Sequence, residues 1–194
     1  MTATAATPAD RMPEIPADQM TPEQKKAAAE FSAGRGYSVR GPFACMLRSP
    51  EVMLRAKAMG DYVRWKSTIP HKLNELAICV TARHWTQNYE WLAHRKLAEE
   101  AGLKASITQA IADGRRPQEM DGDEQLVYDF SIELHHNRCV SDDTYGRALK
   151  RFGEQGVIDL VAANAYYTFN AMMMNVARTA LPAGAKVDLL PFPR

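Results

Sequence analysis

Apolar and polar positions along this chain follow helical spacing. No stretch alternates apolar and polar residues with a period of two between hairpin turns, so no strand is expected. Towards the C-terminus, Tyr166, Phe169, Asn170 and Met173 fall at i, i+3, i+4 and i+7, one stripe of a helix predicted from Val157 to about Ala180. The stripe is either a core face or, where Asn164 or Tyr167 turns inward, part of a pocket wall.

Stop and start signals divide the rest. Thr21-Pro22-Glu23-Gln24 combines a capping box with a proline in the first helical position and opens a short helix to about Phe31. Gly34 to Pro42 reads as a loop; its three glycines and two arginines match no phosphate-binding spacing. Ser49-Pro50-Glu51 opens a helix to about Lys66, and Ser67-Thr68-Ile69-Pro70 opens the next. From Pro70 to Ala101 there is neither glycine nor proline, and Gly102 stands where a left-handed cap belongs. This segment is one long helix or two joined by a bend. Further helices are expected over Ile107–Asp113, from Asp123 to about Asn137, and from the Ser141 cap to about Phe152, with Gly153 and Gly156 breaking the chain before the last. The fold class is all-α, a bundle of about seven or eight helices. Pro8, Pro13 and Pro16 mark residues 1–20 as a flexible tail that stays mobile or lies across a neighbour. Residues 21–181 form one helical domain, and Pro182, Pro191 and Pro193 mark 182–194 as an irregular tail.

Composition removes several classes of function. The 194 residues suit one domain, and 24 basic against 23 acidic residues leave no excess charge for phosphates, so no nucleic-acid partner is expected. Met1 to Pro8 lacks the basic and apolar regions of a secretory signal. No run of eighteen apolar residues is present, so no membrane partner is expected. Cys45, Cys79 and Cys139 are odd in number and far apart, which suits neither a disulfide framework nor a zinc site and fits a reducing cytoplasm.

The chemistry concentrates between Glu75 and His94. At about 100° per residue, Arg83, Gln87, Glu90 and His94 share one narrow helical face, with Leu76 and Cys79 extending the stripe. Trp85, Tyr89 and Trp91 flank it, and polar groups converging among aromatics suit a pocket. The plain alternative is that Glu90 and His94, at i and i+4, are a surface pair supporting the helix. His84 reads as a packed or exposed histidine, and His135-His136 as a helix end. Neither supplies a third ligand at metal spacing, so no metal is expected.

The block Leu73-Asn74-Glu75-Leu76-Ala77, then Tyr89-Glu90-Trp91 with His94, then Ala98 and Ala101-Gly102-Leu103, resembles the carboxymuconolactone decarboxylase family. Arg40-Gly41-Pro42-Phe43, Arg48-Ser49-Pro50-Glu51, Asp123-Glu124, Val127-Tyr128 and Phe152-Gly153-Glu154 are similar to a longer branch of it, so the resemblance spans roughly residues 35–185. The superfamily includes the thiol peroxidase alkyl hydroperoxidase D, whose motif resembles Glu-x11-Cys-x2-Cys-x3-His. Aligned on His94, the glutamate falls on Glu75 and the two cysteines on Gln87 and Glu90. Neither residue can form the thiolate that a peroxidase cycle needs.

The resemblance therefore implies a cofactor-independent lyase of aromatic catabolism, acting by acid/base chemistry on a carboxylated lactone or a similar small organic acid. His94 is the expected acid/base group, since an imidazole titrates near neutrality. Glu90 or Glu75 would orient it, and Arg83 would grip a substrate carboxylate through its planar fork. Gln87, Trp91 and Tyr167 complete the expected substrate contacts. Family members are trimers or hexamers, and a homo-oligomer is expected here. A redox protein working through Cys79 and a non-catalytic family member are the competing readings.

Overall fold

The computed structural model describes residues 9–190. The tail residues 1–8 and 191–194 of the sequence analysis lie outside the described residues. Eight helices and no strand are present among those described: α1 (Pro22–Arg35), α2 (Pro42–Met46), α3 (Pro50–Trp65), α4 (His71–His84), α5 (Asn88–Glu100), α6 (Ala105–Ala112), α7 (Gly122–Asn137) and α8 (Asp142–Ala177).

Most ends follow the local chemistry. Thr21 and Gln24 form the capping box of α1, Asp121 and Glu124 form another at α7, and the Ser141 hydroxyl accepts from the Thr144 N–H at the start of α8. Ser49 makes no capping bond, so Pro50 alone starts α3. The loop after α1 is shorter than expected at both ends, because α1 runs on to Arg35 and Pro42 nucleates α2. Gly153, at φ 69° and ψ 178°, is not helical and divides α8 into two helical segments, so the break expected there is present.

Two helices, not one, occupy Pro70 to Ala101. Glu75 and His94 are 19 residues apart yet hydrogen-bond at 2.7 Å. In a continuous helix they would lie about 28 Å apart, at a rise of about 1.5 Å per residue. The chain reverses at Trp85-Thr86-Gln87, where Thr86 takes a left-handed conformation (φ 48°) and the Gln87 side chain accepts from the Tyr89 N–H to cap α5. A β-branched residue is uncommon in that region of backbone space. The reversal is therefore set by packing.

Packing explains why α4 dominates. Every residue from Leu73 to Arg83 is buried, and the helix contacts α5, α6, α7 and α8. On one side lies a core built on Leu76, Val80, Trp91, Val127, Phe130 and Leu160. On the other, Phe31, Phe43, Met46, Met53, Ile78, Tyr166 and Tyr167 form a second, between α1–α3 and the C-terminal half of α8. Each fully buried large side chain here contributes about 1.5–3 kcal/mol.

A buried carboxylate joins α3, the α3–α4 loop and α8. Asp159 of α8 accepts from the Thr68 N–H (2.7 Å) and from the hydroxyls of Thr68 (2.8 Å), Tyr62 (2.9 Å) and Ser67 (3.3 Å). Burial alone would raise its pKa, but these donors outweigh burial and hold it below the usual aspartate value. The clasp fixes the end of α3 against α8, and both helices wall the cavity described next.

The first and last described segments pack on the bundle. Arg11 N–H donates to Ala177 O, and Asp10 accepts from the Ala180 N–H. Leu189 is fully buried, and the Asn88 side chain clasps the backbone of residues 188 and 189.

Candidate active site

A cavity of about 540 Å³ opens between α2, α3, α5 and the C-terminal half of α8. Aromatic and aliphatic side chains form most of its wall, among them Phe43, Trp65, Leu92, Tyr166 and Met174. Its polar groups are few. Glu90 and His94 face it from α5, Tyr167 and Asn170 from α8, and Arg35, Arg40 and Arg64 from the first three helices and their loops.

His94 is held from behind. Its Nδ1 lies 2.7 Å from Glu75 Oε2, and the Glu75 side chain is fully buried. Glu75 and His94 meet because the α4–α5 reversal lays the two helices side by side. In the tautomer that carries its proton on Nδ1, the ring donates to Glu75 Oε2 and leaves Nε2 as the nitrogen available to the cavity. The Tyr167 ring meets the imidazole edge-on at 4.8 Å between centroids and locks its plane. His71 stands 3.9 Å from the other Glu75 oxygen, towards the surface.

Glu90 is a different kind of carboxyl group. It lies one turn before His94, is buried, and its Oε2 has no hydrogen-bond partner. Burial pushes its pKa well above the ordinary glutamate value, which favours the neutral form of the group. One cavity thus contains a carboxyl group biased towards its acid form and an imidazole whose far side is tied to a second carboxyl group. Such a pair of neighbouring groups with divergent environments is the arrangement that acid/base chemistry requires.

Two glycines shape the walls. A side chain at Gly60 would lie 2.3 Å from the Tyr166 hydroxyl, so α3 must be bare there for that ring to stand where it does. Gly41, at φ 58°, turns the chain into α2 beside Tyr89, which a Cβ would approach to 2.9 Å.

The structure brings together Glu75, Glu90, His94 and Tyr167 and separates the other residues expected at the site. Arg83 does not share their cavity. The α4–α5 reversal ends the helical stripe that would have aligned it with Glu90, and it faces a second cavity of about 310 Å³ with His84, Arg115 and His136. There its Nη1 donates to Leu190 O at 2.9 Å. Gln87 caps α5 and donates to Asn175 Oδ1 at 2.8 Å. Trp91 is fully buried in the first core. Asn164 is also buried away from the cavity, within 3.2 Å of the Thr81 hydroxyl. Of the α8 stripe, Tyr166 and Asn170 line the cavity, as Tyr167 does, so the C-terminal half of α8 is a pocket wall as well as core.

Arg64, Tyr166 and Asn170 are among the cavity residues that the sequence did not assign to the site. Arg64 carries no sequence signal beyond a cation in the last turn of a helix, which the helix dipole already accounts for.

The cysteines lie elsewhere. Cys79 is fully buried in the first core, and burial raises its thiol well above the usual value, with Glu75 adding to the effect. Cys45 is buried beside Pro42 and also raised by burial, while Cys139 is exposed. No group of His, Cys, Asp and Glu side chains with metal-holding geometry occurs among the described residues. No described helix is long and apolar enough to cross a membrane.

The sequence matches no family model and no curated protein. Solved structures share the fold, two of them as follows. An alkylhydroperoxidase AhpD core structure, an uncharacterized peroxidase-related protein from Ralstonia eutropha JMP134, is similar with a TM-score of 0.74 at 15% identity, over 92% of this chain and 95% of the other. The debrominase Bmp8, carrying a cysteine-to-alanine substitution and in complex with 2,3,4-tribromopyrrole, is similar with a TM-score of 0.68 at 10% identity, over 91% of this chain and 94% of the other. At these identities the likeness is one of fold.

Proposed function

We propose that this chain is an acid/base enzyme acting on a small carboxylated organic molecule, a carboxy-lyase of the carboxymuconolactone decarboxylase type. The observation that carries this reading is the convergence of the Glu75–His94 pair and the buried, unpartnered Glu90 on one largely apolar cavity. Loss of CO2 breaks one carbon–carbon bond and leaves its electron pair on the substrate. An adjacent unsaturated lactone delocalises that pair, and one proton must then reach carbon. Protonated Glu90 supplies the proton and keeps the negative charge the substrate gave up, and solvent restores the acid. His94, with Nδ1 tied to Glu75, presents Nε2 to orient the substrate or to relay that proton. The apolar wall favours the charge-dispersed transition state over a hydrated carboxylate.

The peroxidase alternative has the fold likeness on its side, but no cysteine lines the cavity that holds Glu90 and His94. Cys79 is buried in the core with its proton held on, and a peroxide-reducing cysteine must be an accessible thiolate. Unpaired cysteines fit a reducing compartment, and we place the protein in the cytoplasm. The exposed apolar residues Ile158, Met172 and Val176 on α8 suit a homo-oligomer contact.

The test is decarboxylation of 4-carboxymuconolactone by the purified protein, followed as CO2 release and lactone product. Turnover is expected in the wild type, with a loss of roughly 10²–10⁴-fold in His94→Ala. Undiminished turnover in the variant would remove His94 from the mechanism. Absence of turnover in the wild type on this and related carboxylated lactones would remove the lyase reading.

A further inference from the structure

Three arginines line the cavity, and their surroundings differ. Arg35 is fully engaged: its Nε and Nη2 donate to Asp61 at 2.9 and 2.7 Å, and its Nη1 to the Tyr37 hydroxyl at 3.3 Å. Arg40 is exposed at the rim, its guanidinium 4.3 Å from the centre of the Tyr37 ring. Arg64 is half-buried in the wall and makes no hydrogen bond or ion pair among the described residues. Its Nε is buried without a hydrogen-bond partner, and its one close contact of note is the Trp65 ring, 5.1 Å from the guanidinium carbon. Arg64 thus lines the cavity with no anion beside it among the described residues, and an anionic ligand there would pair with its guanidinium.

The position of Arg64 gives the ligand a direction. Its charge bears on the Tyr166 and Tyr167 hydroxyls, opposing the effect of their burial. Tyr167 in turn packs on the His94 ring. A molecule whose anionic end meets Arg64 therefore extends past the two tyrosines towards His94 and Glu90. Phe43, Leu92 and Met174 are apolar surfaces for its body. Asn170 offers an amide whose oxygen has no protein partner, a place for one hydroxyl or enol of the ligand.

We propose that Arg64 anchors the carboxylate of a flat, largely apolar organic acid in this cavity, a role that rests on the acid/base reading of the same site. In a decarboxylation, the carboxylate gripped by Arg64 is not the one that leaves. A guanidinium stabilises the ionised ground state of the group it holds, whereas the departing carboxylate reacts fastest in apolar surroundings. Arg64 therefore selects substrates with a spectator carboxylate and turns the reacting end towards His94.

The experiment is a fluorescence and calorimetric titration of the full chain with benzoate and its neutral isostere benzamide. Trp65, more than half exposed beside Arg64, is the optical reporter. Benzoate is expected to bind saturably and benzamide about tenfold or more weaker, the value of a charge-assisted guanidinium–carboxylate bond. Arg64→Met should weaken benzoate by a similar factor, leave benzamide unchanged and keep the wild-type unfolding midpoint. Arg64→Lys should recover part of the loss. His94→Ala should still bind benzoate more tightly than benzamide, which separates anchoring from chemistry. Equal binding of the two probes, wild-type benzoate affinity in Arg64→Met, loss of the preference for benzoate over benzamide in His94→Ala, or no saturable benzoate binding would each overturn the assignment. If Arg64 passes while His94→Ala retains turnover, the mechanism falls and the anchor stands; the reverse pattern removes the anchor alone.

Discussion

Replacing Glu90 with glutamine is expected to lower turnover by roughly 10²–10⁴-fold while making the folded protein more stable at neutral pH. Both effects have one origin. Glu90 is buried without a partner for Oε2, and burial raises its pKa well above the ordinary 4.5. Below that ordinary value the group is protonated in both the folded and unfolded chain and opposes folding in neither. As pH rises above it, the unfolded chain releases its proton while the folded chain retains one, and the native state loses stability until the raised folded pKa is passed. Glutamine keeps the shape and cannot ionise in either state. The gain in Glu90→Gln should therefore be absent in acid, grow as pH rises and level off above the folded pKa. Urea unfolding across that range, with kcat measured on the same preparations, checks both halves. A glutamine variant less stable than wild type at neutral pH would show that Glu90 is ionised and paired.

Asp159→Ala is expected to give the largest loss of stability, about 2–4 kcal/mol, from removing a buried charged acceptor. The cost arises from the donors left behind: the Thr68 N–H and the Thr68, Tyr62 and Ser67 hydroxyls all converge on this carboxylate. For a chain of this length the loss corresponds to a fall in Tm of roughly 5–15 °C. Because the donors hold the folded pKa below the ordinary value of 3.8, the stabilisation is present above that value and is lost as pH falls through the folded one. Asp159→Asn should remove that acid-side dependence and part of the stability. The variant should also loosen the cavity, since the clasp holds Arg64 and Trp65 of α3 against Tyr166 and Tyr167 of α8. A melting temperature unchanged in Asp159→Ala would mean that water replaces the carboxylate at no cost.

How far the sequence reveals this arrangement depends on how local the cause is. The Thr21–Gln24 capping box, the Ser141 cap, and Gly102 and Gly114 in left-handed backbone each act within one helical turn, so the helices they bound can be read directly. The turn between α4 and α5 has no such marker. Thr86 adopts its left-handed conformation because both flanking helices bury apolar faces against the same core. A continuous helix places Arg83 beside Glu90; the real reversal sends Arg83 to the opposite cavity and carries Glu75 to His94. Glu75 and His94 also had a second signal, since the family resemblance pairs a glutamate and a histidine at that separation. Arg64 had neither. It stands thirty residues before His94, and only the packing of α3 on α8 brings it to the cavity.

The central claim is that Glu75 and His94 form one proton-holding unit facing the cavity. It is tested most directly by ¹⁵N NMR of the histidine ring nitrogens at neutral pH, with His94→Gln to assign the signal and Glu75→Gln as the perturbation. The account predicts that neutral His94 is fixed in the Nδ1–H tautomer, with a slowly exchanging, strongly downfield Nδ1 proton that is lost or shifted in Glu75→Gln. A His94 signal averaged between tautomers, or one in the Nε2–H form and indifferent to Glu75→Gln, would contradict it.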